Sequence, residues 1–274
     1  LQRRTRAFVL RRLKRQVAKE LPEKLFKPLR CELTPLQKQL YQAVIDRDLE
    51  AAIQAVGGRR LSLGNPHIFA ILTKLKQICC HPGIVTGDFQ PYRAGVSAKF
   101  DAFCEVFEEI REASSDSRPN KLVAFSQYKP MAGYLHAYID ASGKRSVLID
   151  GSVSPYERPA LCRAFNEGAD QFGMVLTLGA GGVGLDLQGA NYVVMYDRWW
   201  NPAVEDQAID RVHRLGQDRE VVVVTITARG TLEERIEAKL DRKRRLADQV
   251  IEADALMRKE ITRDDLLGLV RLEP

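Results

Sequence analysis

The chain has 274 residues, 45% of them apolar and 28% charged, with a formal net charge of +6. That is ample for a packed core, and no run of about eighteen apolar residues could span a bilayer, so the expectation is a soluble chain with no signal peptide. Its five cysteines are odd in number, scattered and free of any Cys-x-x-Cys pair, which excludes a disulfide framework and points to a reducing compartment.

The positive charge is local. Residues 1–30 hold eleven Lys or Arg against Glu20 and Glu23, while residues 31–274 sum to −3. A basic segment of this density suits a polyanion, or is a solvated helix face. Aromatic interleaving is thin there, with Phe8 and Phe26 alone, so backbone contact is expected rather than base stacking. The chain opens at Leu1 inside this pattern without an initiator Met and reads as an excised segment of a longer protein.

In chain order, residues 1–95 read as helical and irregular. Ala7 to Ala18 alternates basic and apolar positions at helical spacing, and Thr34-Pro35 caps and starts a helix through about Ala55, stopped by Gly57-Gly58. A second helix, about Pro66 to Ile78, buries Ile68, Ile71, Leu72 and Leu75 and ends near His81-Pro82. Gly83 to Gly95 reads as a connecting loop.

Residues 96–230 alternate strands and helices, the pattern of a parallel sheet covered on both faces. Ser97 caps a helix striped by Phe100, Phe103, Phe107 and Ile110. Strands are predicted at Lys121–Ser126, Arg145–Asp150, Gly173–Leu178, Tyr192–Tyr196 and Val221–Thr227, with helices at about Pro130–Ala141, Pro155–Phe165 and Ala203–Leu215. The fold class is therefore α/β, a RecA-like parallel sheet, with an N-terminal helical region and C-terminal helices. Residues 231–274 start with a Thr231 cap and Glu233-Glu234, continue as a charged helix through about Ile251, and end on a shorter helix near Arg263–Val270.

The chemistry concentrates in two stretches. Gln207-Ala-Ile-Asp-Arg-Val-His-Arg-Leu-Gly-Gln217 carries Arg211 and Arg214 three apart, so a helix would project them from one face as a pair of permanent cations suited to a phosphate chain. Before it, Trp199-Trp200-Asn201-Pro202 reads as a turn at a helix start. Some thirty residues earlier lies the glycine-rich Thr177-Leu-Gly-Ala-Gly-Gly-Val-Gly-Leu-Asp186. Its Gly179-x-Gly181-x-x-Gly184 fits the dinucleotide fingerprint literally, but that fingerprint needs a crossover helix, and Leu185 to Asn191 is too short for one. The glycines instead allow close backbone approach to another ligand. Adjacent Cys79 and Cys80 cannot easily both reach one tetrahedral metal, and no second pair follows, so no metal site is expected. Nowhere does Gly-x-x-x-x-Gly-Lys-Ser/Thr occur, nor an Asp-Glu pair after a strand, so the chain cannot by itself cradle a triphosphate or position its magnesium.

These stretches, with Leu21-Pro-Glu-Lys24, Leu75-Lys-Gln-Ile-Cys-Cys-His-Pro82, Ser97-Ala-Lys99, Ala124-Phe-Ser-Gln-Tyr128 and Ile149-Asp-Gly-Ser152, occur in the order found in the Swi/Snf family of ATP-driven duplex DNA translocases. The chain resembles the second half of that superfamily-two motor. The resemblance implies a basic interlobe segment and helical protrusion at 1–95, the C-terminal helicase lobe at 96–230 and brace helices at 231–274. It implies catalytic roles for Arg211 and Arg214, as arginine fingers, and for Gln207, which begins their motif. It implies nucleotide contact near Gly182, Gly184 and Asp186, and DNA contact from Ser126, Gln127, Ser152, Thr177 and Trp200. Either Trp199 or Trp200 could instead be core, and Lys99 and Lys129 could reach phosphates or be merely solvated. ATP and Mg2+ would be held mainly by the first lobe of the same protein. The other implied partners are double-stranded DNA and a nucleoprotein substrate, in a nucleoid-associated cytoplasmic setting if prokaryotic and nuclear if eukaryotic. The rival reading is a non-catalytic protein- or nucleic-acid-binding module on a helicase-like lobe.

Overall fold

The computed structural model describes residues 21–56, 61–89, 92–115, 117–177, 179, 184–238 and 260–273. The basic stretch before Leu21, most of the glycine loop and the part of the predicted charged helix beyond residue 238 lie outside them.

Six parallel strands form the centre: β1 (Lys24–Cys31), β3 (Leu122–Ser126), β4 (Arg145–Ile149), β5 (Gln171–Thr177), β6 (Tyr192–Met195) and β7 (Val221–Ala228), in the spatial order β1-β7-β6-β3-β5-β4. All five residues of β3 are buried. Its side chains alternate across the sheet, Leu122 and Ala124 into one core, Val123 and Phe125 into the other, as a central strand covered on both faces requires. On the first face lie α5 (Ala98–Glu112) and α6 (Lys129–Ala141), whose Phe100, Phe103, Phe107, Leu135 and Ile139 interlock with the strands. On the other lie α7 (Arg158–Glu167) and α8 (Pro202–Val212), burying Cys162, Phe165, Ile209 and Val212. This is the expected RecA-like arrangement. As expected too, no helix intervenes between β5 and β6 among the described residues.

One strand was not expected. Lys24–Cys31 falls in the region predicted to be helical, yet it pairs along its length with β7 and closes one edge of the sheet. The expected helix from Thr34 forms as α1 (Pro35–Val44), a π-helical turn at Ile45–Leu49 and α2 (Glu50–Ala55), opened by a Thr34–Gln37 capping box. With α3 (Pro66–Cys80) and the short α4 (Pro82–Thr86), it builds a third core containing Tyr41, Leu49, Ile68, Leu72 and Leu75.

The C-terminal residues complete that third core. Leu232 opens a helix, α9, described over 232–238, and α10 (Arg263–Val270) inserts Leu266, Leu269 and Val270. The Tyr41 hydroxyl is buried among them, donating to the Val270 carbonyl at 2.9 Å and accepting from the Leu232 amide at 3.1 Å. A two-residue ladder between β2 (Leu61–Ser62) and β8 (Glu260–Ile261) adds a second link. No helix among the described residues is long and apolar enough to cross a membrane.

Candidate functional site

The C-terminal ends of parallel strands converge on one edge of the sheet, where loops are free to vary. At the end of β3, the Ser126 hydroxyl is fully buried, donates to Asp197 Oδ2 at 2.5 Å and accepts from the Tyr128 amide at 3.2 Å. The Gln127 amide and side chain both donate to Asp197 Oδ1, at 3.0 and 2.7 Å, and the same Nε2 reaches the Arg198 carbonyl at 2.6 Å. Asp197 is thus the acceptor that binds the end of β3 to the loop after β6, and Ser126 has no proton left to offer a ligand.

At the end of β4, Asp150 Oδ1 accepts from both the hydroxyl and the amide of Ser152, and Lys129 Nζ lies 3.0 Å from Oδ2. The Ser152 hydroxyl bond, its amide bond and the Lys129 ammonium together hold the Asp150 carboxyl down to about 2. Ser152 and Lys129 are exposed beside it, while Thr177 at the end of β5 is half-buried. The Lys99 expectation is corrected. Its ammonium is fully buried, 2.7 Å from Glu233, and burial, which opposes the charge, is outweighed by that carboxylate, so its pKa is raised. It faces the core rather than a phosphate.

Gly184, two residues before Asp186, adopts a left-handed φ of 61°. Gly182 lies outside the described residues. Asp186 is half-buried, and its Oδ1 is shielded from water with no hydrogen-bond partner among the described residues. A cleft of about 600 Å³ opens there, lined among others by Arg158, Cys162, Asn166, Gly184, Asp186 and Gly216.

Helix α8 carries the arginine motif. Asn201 caps it by accepting from the Ala203 amide at 3.0 Å, with Pro202 in the first turn. Gln207 is exposed at mid-helix. The helix ends at Val212, earlier than the predicted Leu215, so Arg211 sits in its last turn and exposed Arg214 in the following turn. Arg211 and Arg214 are therefore not an i, i+3 pair on one helical face, although both remain at the same end of α8. Side chains draw the backbone off the helical path. His213 Nε2 hydrogen-bonds the Pro22 carbonyl at 2.7 Å, and buried Gln217 Nε2 donates to the carbonyls of Gln188, Ala190 and Val212 at 3.0, 2.8 and 3.3 Å. Gly216 turns the chain between them with a φ of 98°. The Leu187 amide donates to the Arg211 carbonyl at 3.1 Å, which brings the Asp186 segment against the arginine motif.

Both tryptophans are half-buried. Trp199 packs on the α7–α8 face; Trp200 packs on the third core, 6.3 Å from Phe69, with Lys76 Nζ 5.0 Å over its ring. Among the described residues no cluster of His, Cys, Asp or Glu could hold a metal ion, and the five cysteines are free thiols. Burial pushes Cys31 and Cys104 up to about 11, so neither is a ready nucleophile.

A parallel sheet whose strand ends gather hydroxyls and amides, with an arginine motif on the helix after β6, defines the C-terminal lobe of a helicase-type ATPase. Residues 98–216 match the Helicase conserved C-terminal domain and residues 1–84 match the SNF2-related domain. The chain is 37% identical over 258 residues to the "Putative ATP-dependent helicase/translocase YwqA" of Bacillus subtilis, covering 93% of this chain and 27% of that protein. It is 34% identical over 270 residues to the ISWI chromatin-remodeling complex ATPase CHR11 of Arabidopsis thaliana, covering 97% and 25%. The chain thus spans about a quarter of these relatives. Among solved structures it superposes on the Sulfolobus solfataricus SWI2/SNF2 ATPase core in complex with dsDNA with a TM-score of 0.76 at 29% identity, over 100% of this chain and 56% of that one. The C-terminal domain of that ATPase gives 0.74 at 28%, over 92% and 100%. The chain belongs to the Swi/Snf family and is its C-terminal lobe.

Proposed function

We propose that this chain is the second motor lobe of an ATP-dependent double-stranded DNA translocase that remodels nucleoprotein. The observation that carries the reading is the grouping of Arg211 and Arg214 at one end of α8 with Gly184 and Asp186 alongside, in a sequence with no phosphate loop of its own. Two guanidiniums so placed suit the charge that develops on a transferring phosphoryl group held by another lobe, a contribution of about 10³–10⁵ in rate for a single finger. The shielded Asp186 oxygen fits a hydroxyl donor such as a ribose. Mg2+ would be held by the first lobe.

Duplex DNA would lie across the strand ends. Ser152, Lys129 and Thr177 are the groups there that can grip phosphates without reading bases. Ser126 and Gln127 act on that surface through Asp197, and Trp200 through its packing on the third core. The Sulfolobus ATPase core, a neighbour in fold over the whole of this chain, is itself in complex with dsDNA, which supports a duplex as the ligand.

The test is made in the full two-lobe protein. Arg211→Ala or Arg214→Ala should remove most DNA-stimulated ATP turnover, at least about tenfold, while duplex affinity stays within about twofold. Tenfold weaker DNA binding with turnover per bound enzyme preserved would assign the arginines to DNA instead. The chain by itself should show no DNA-stimulated turnover.

A further inference from the structure

Between the tryptophans and the C-terminal helix lies a nearly dry cluster of charges built from four elements. Arg198, in the loop after β6, donates from Nε to Glu205 Oε1 at 3.0 Å and from Nη2 to Glu205 Oε2 at 3.1 Å. Its Nη1 donates to Glu237 Oε1 on α9. The three side chains are 14%, 5% and 12% exposed. Glu205 also accepts from the Trp199 amide at 2.7 Å, and Lys76 Nζ donates to the Arg198 carbonyl at 2.7 Å. One turn earlier on the same face of α9, Glu233 takes the buried Lys99.

Burying such ions costs several kcal/mol each before pairing, and well-packed apolar residues commonly stabilise a fold as much or more. The arrangement therefore calls for a reason beyond stability, and the geometry supplies one. Glu205 stands in the first turn of α8 and Arg211 in its last, so a rigid helix of 11 residues joins the clamp to the arginine motif. A guanidinium is the one side chain whose fixed fork can hold a carboxylate with two parallel bonds and a second carboxylate with the remaining nitrogen.

We infer that Arg198 is a positioning residue: by tying the start of α8 to Glu237 it makes the seating of the C-terminal helix set where Arg211 and Arg214 stand. The inference rests on the proposed role of those arginines in turnover. A C-terminal helix drawn away from Arg198 would take the Glu237 anchor from the start of α8 and leave the Arg198–Glu205 fork without its second carboxylate, while the far end stays held by Lys24–Asp210, His213, Gln217 and the buried Ile209 and Val212. Hydrolysis would then depend on whatever pulls on or covers α9, without any contact to nucleotide from that helix.

The experiment uses the full two-lobe protein and five variants. Arg198→Lys keeps the charge but cannot span both carboxylates, and Glu237→Gln weakens the α9 half while leaving the Glu205 contacts. Both should lower DNA-stimulated kcat by about tenfold, with KM for ATP and duplex affinity within about twofold, since a displaced finger acts on the transition state. The double variant should be no slower than the slower single one, because both break one link. Glu273→Gln, which breaks the exposed Arg235–Glu273 pair of the same helix, should leave kcat unchanged. Arg214→Ala serves as the reference. If Arg214→Ala retains wild-type kcat, the finger reading fails. If it abolishes turnover while Glu237→Gln keeps wild-type kcat per folded molecule, the positioning inference alone is overturned, whatever becomes of Arg198→Lys. Loss of kcat that merely tracks a lowered melting temperature, or an equal loss in Glu273→Gln, overturns it as well.

Discussion

His81 shows how much one side chain can settle. Its Nδ1 accepts from the Gly83 amide at 3.0 Å, which caps α4, and its ring stacks on Phe89 at a centroid distance of 4.9 Å. A protonated Nδ1 cannot accept, and burial alone pushes the imidazole down to about 4. The folded pKa lies below the unfolded value, so the unfolded state binds the proton first. Stability is complete above about pH 6.5 and is lost as pH falls toward 4, by about 3 kcal/mol from this group. His81→Asn, which can still cap but does not titrate, should flatten that part of the stability–pH curve in urea unfolding at pH 7 and pH 4.5. At Lys99 the charge is the issue. Lys99→Met should cost about 3–5 kcal/mol because Glu233 remains buried and unpaired, and Lys99→Met with Glu233→Leu should recover most of it, read from unfolding midpoints. Neither role was legible in the sequence. A lysine after a helix cap looks the same whether it faces phosphate or core, since its acidic partner lies 134 residues away.

Whole elements were easier to read, where their signal is local. Thr34 and Ser97 followed by helical periodicity fix α1 and α5, and unbroken apolar runs such as Leu122–Phe125 can only be strands buried on both faces. Two elements escaped for the same reason in reverse. Lys-Leu-Phe-Lys-Pro-Leu-Arg-Cys mixes charge, a proline and apolar residues because β1 is an edge strand, bonded on one side, and nothing nearby reveals that β7 is its partner. The end of α8 is set by Gln217, whose three carbonyl partners come from two segments brought together by the fold. Gln217→Ala should therefore cost about 1–3 kcal/mol by leaving buried carbonyls unpaired, and Gln217→Glu more, since a carboxylate cannot donate to them. Denaturant unfolding of the two variants checks the order.

For the molecule as a whole, the proposed DNA surface offers hydroxyls, amides and lysines with little suited to bidentate base recognition. Binding should be independent of sequence and fall steeply with salt, because neutralised phosphates release counterions. Removing the basic segment before Leu21 should lower affinity and flatten the plot of log K against log salt by about 0.9 per lost duplex contact. Titrations on unrelated duplexes at several salt concentrations decide it; an unchanged slope would return that segment to a solvated face. The family and five of the six sheet strands were legible in this sequence, because ordered motifs sit at strand ends, while the edge strand β1 was not. The Arg198 cluster was not, because its members are spread over Lys76 to Glu237 and no spacing rule connects them.

The pairing of β1 with β7 also bears on how such a chain is made. Lys24 meets Val221, so the first of the six strands to be synthesised is bonded only to the last of them, roughly 200 residues later. At ribosomal rates of about 5–20 residues per second, β1 waits some tens of seconds with its apolar side chains uncovered while the rest of the sheet takes shape. Its lysines, arginine and Pro28 are the residue types that discourage a waiting edge from pairing with another chain, and in the finished fold Lys24, Lys27 and Arg30 go on to pair with Asp210, Glu109 and Glu234.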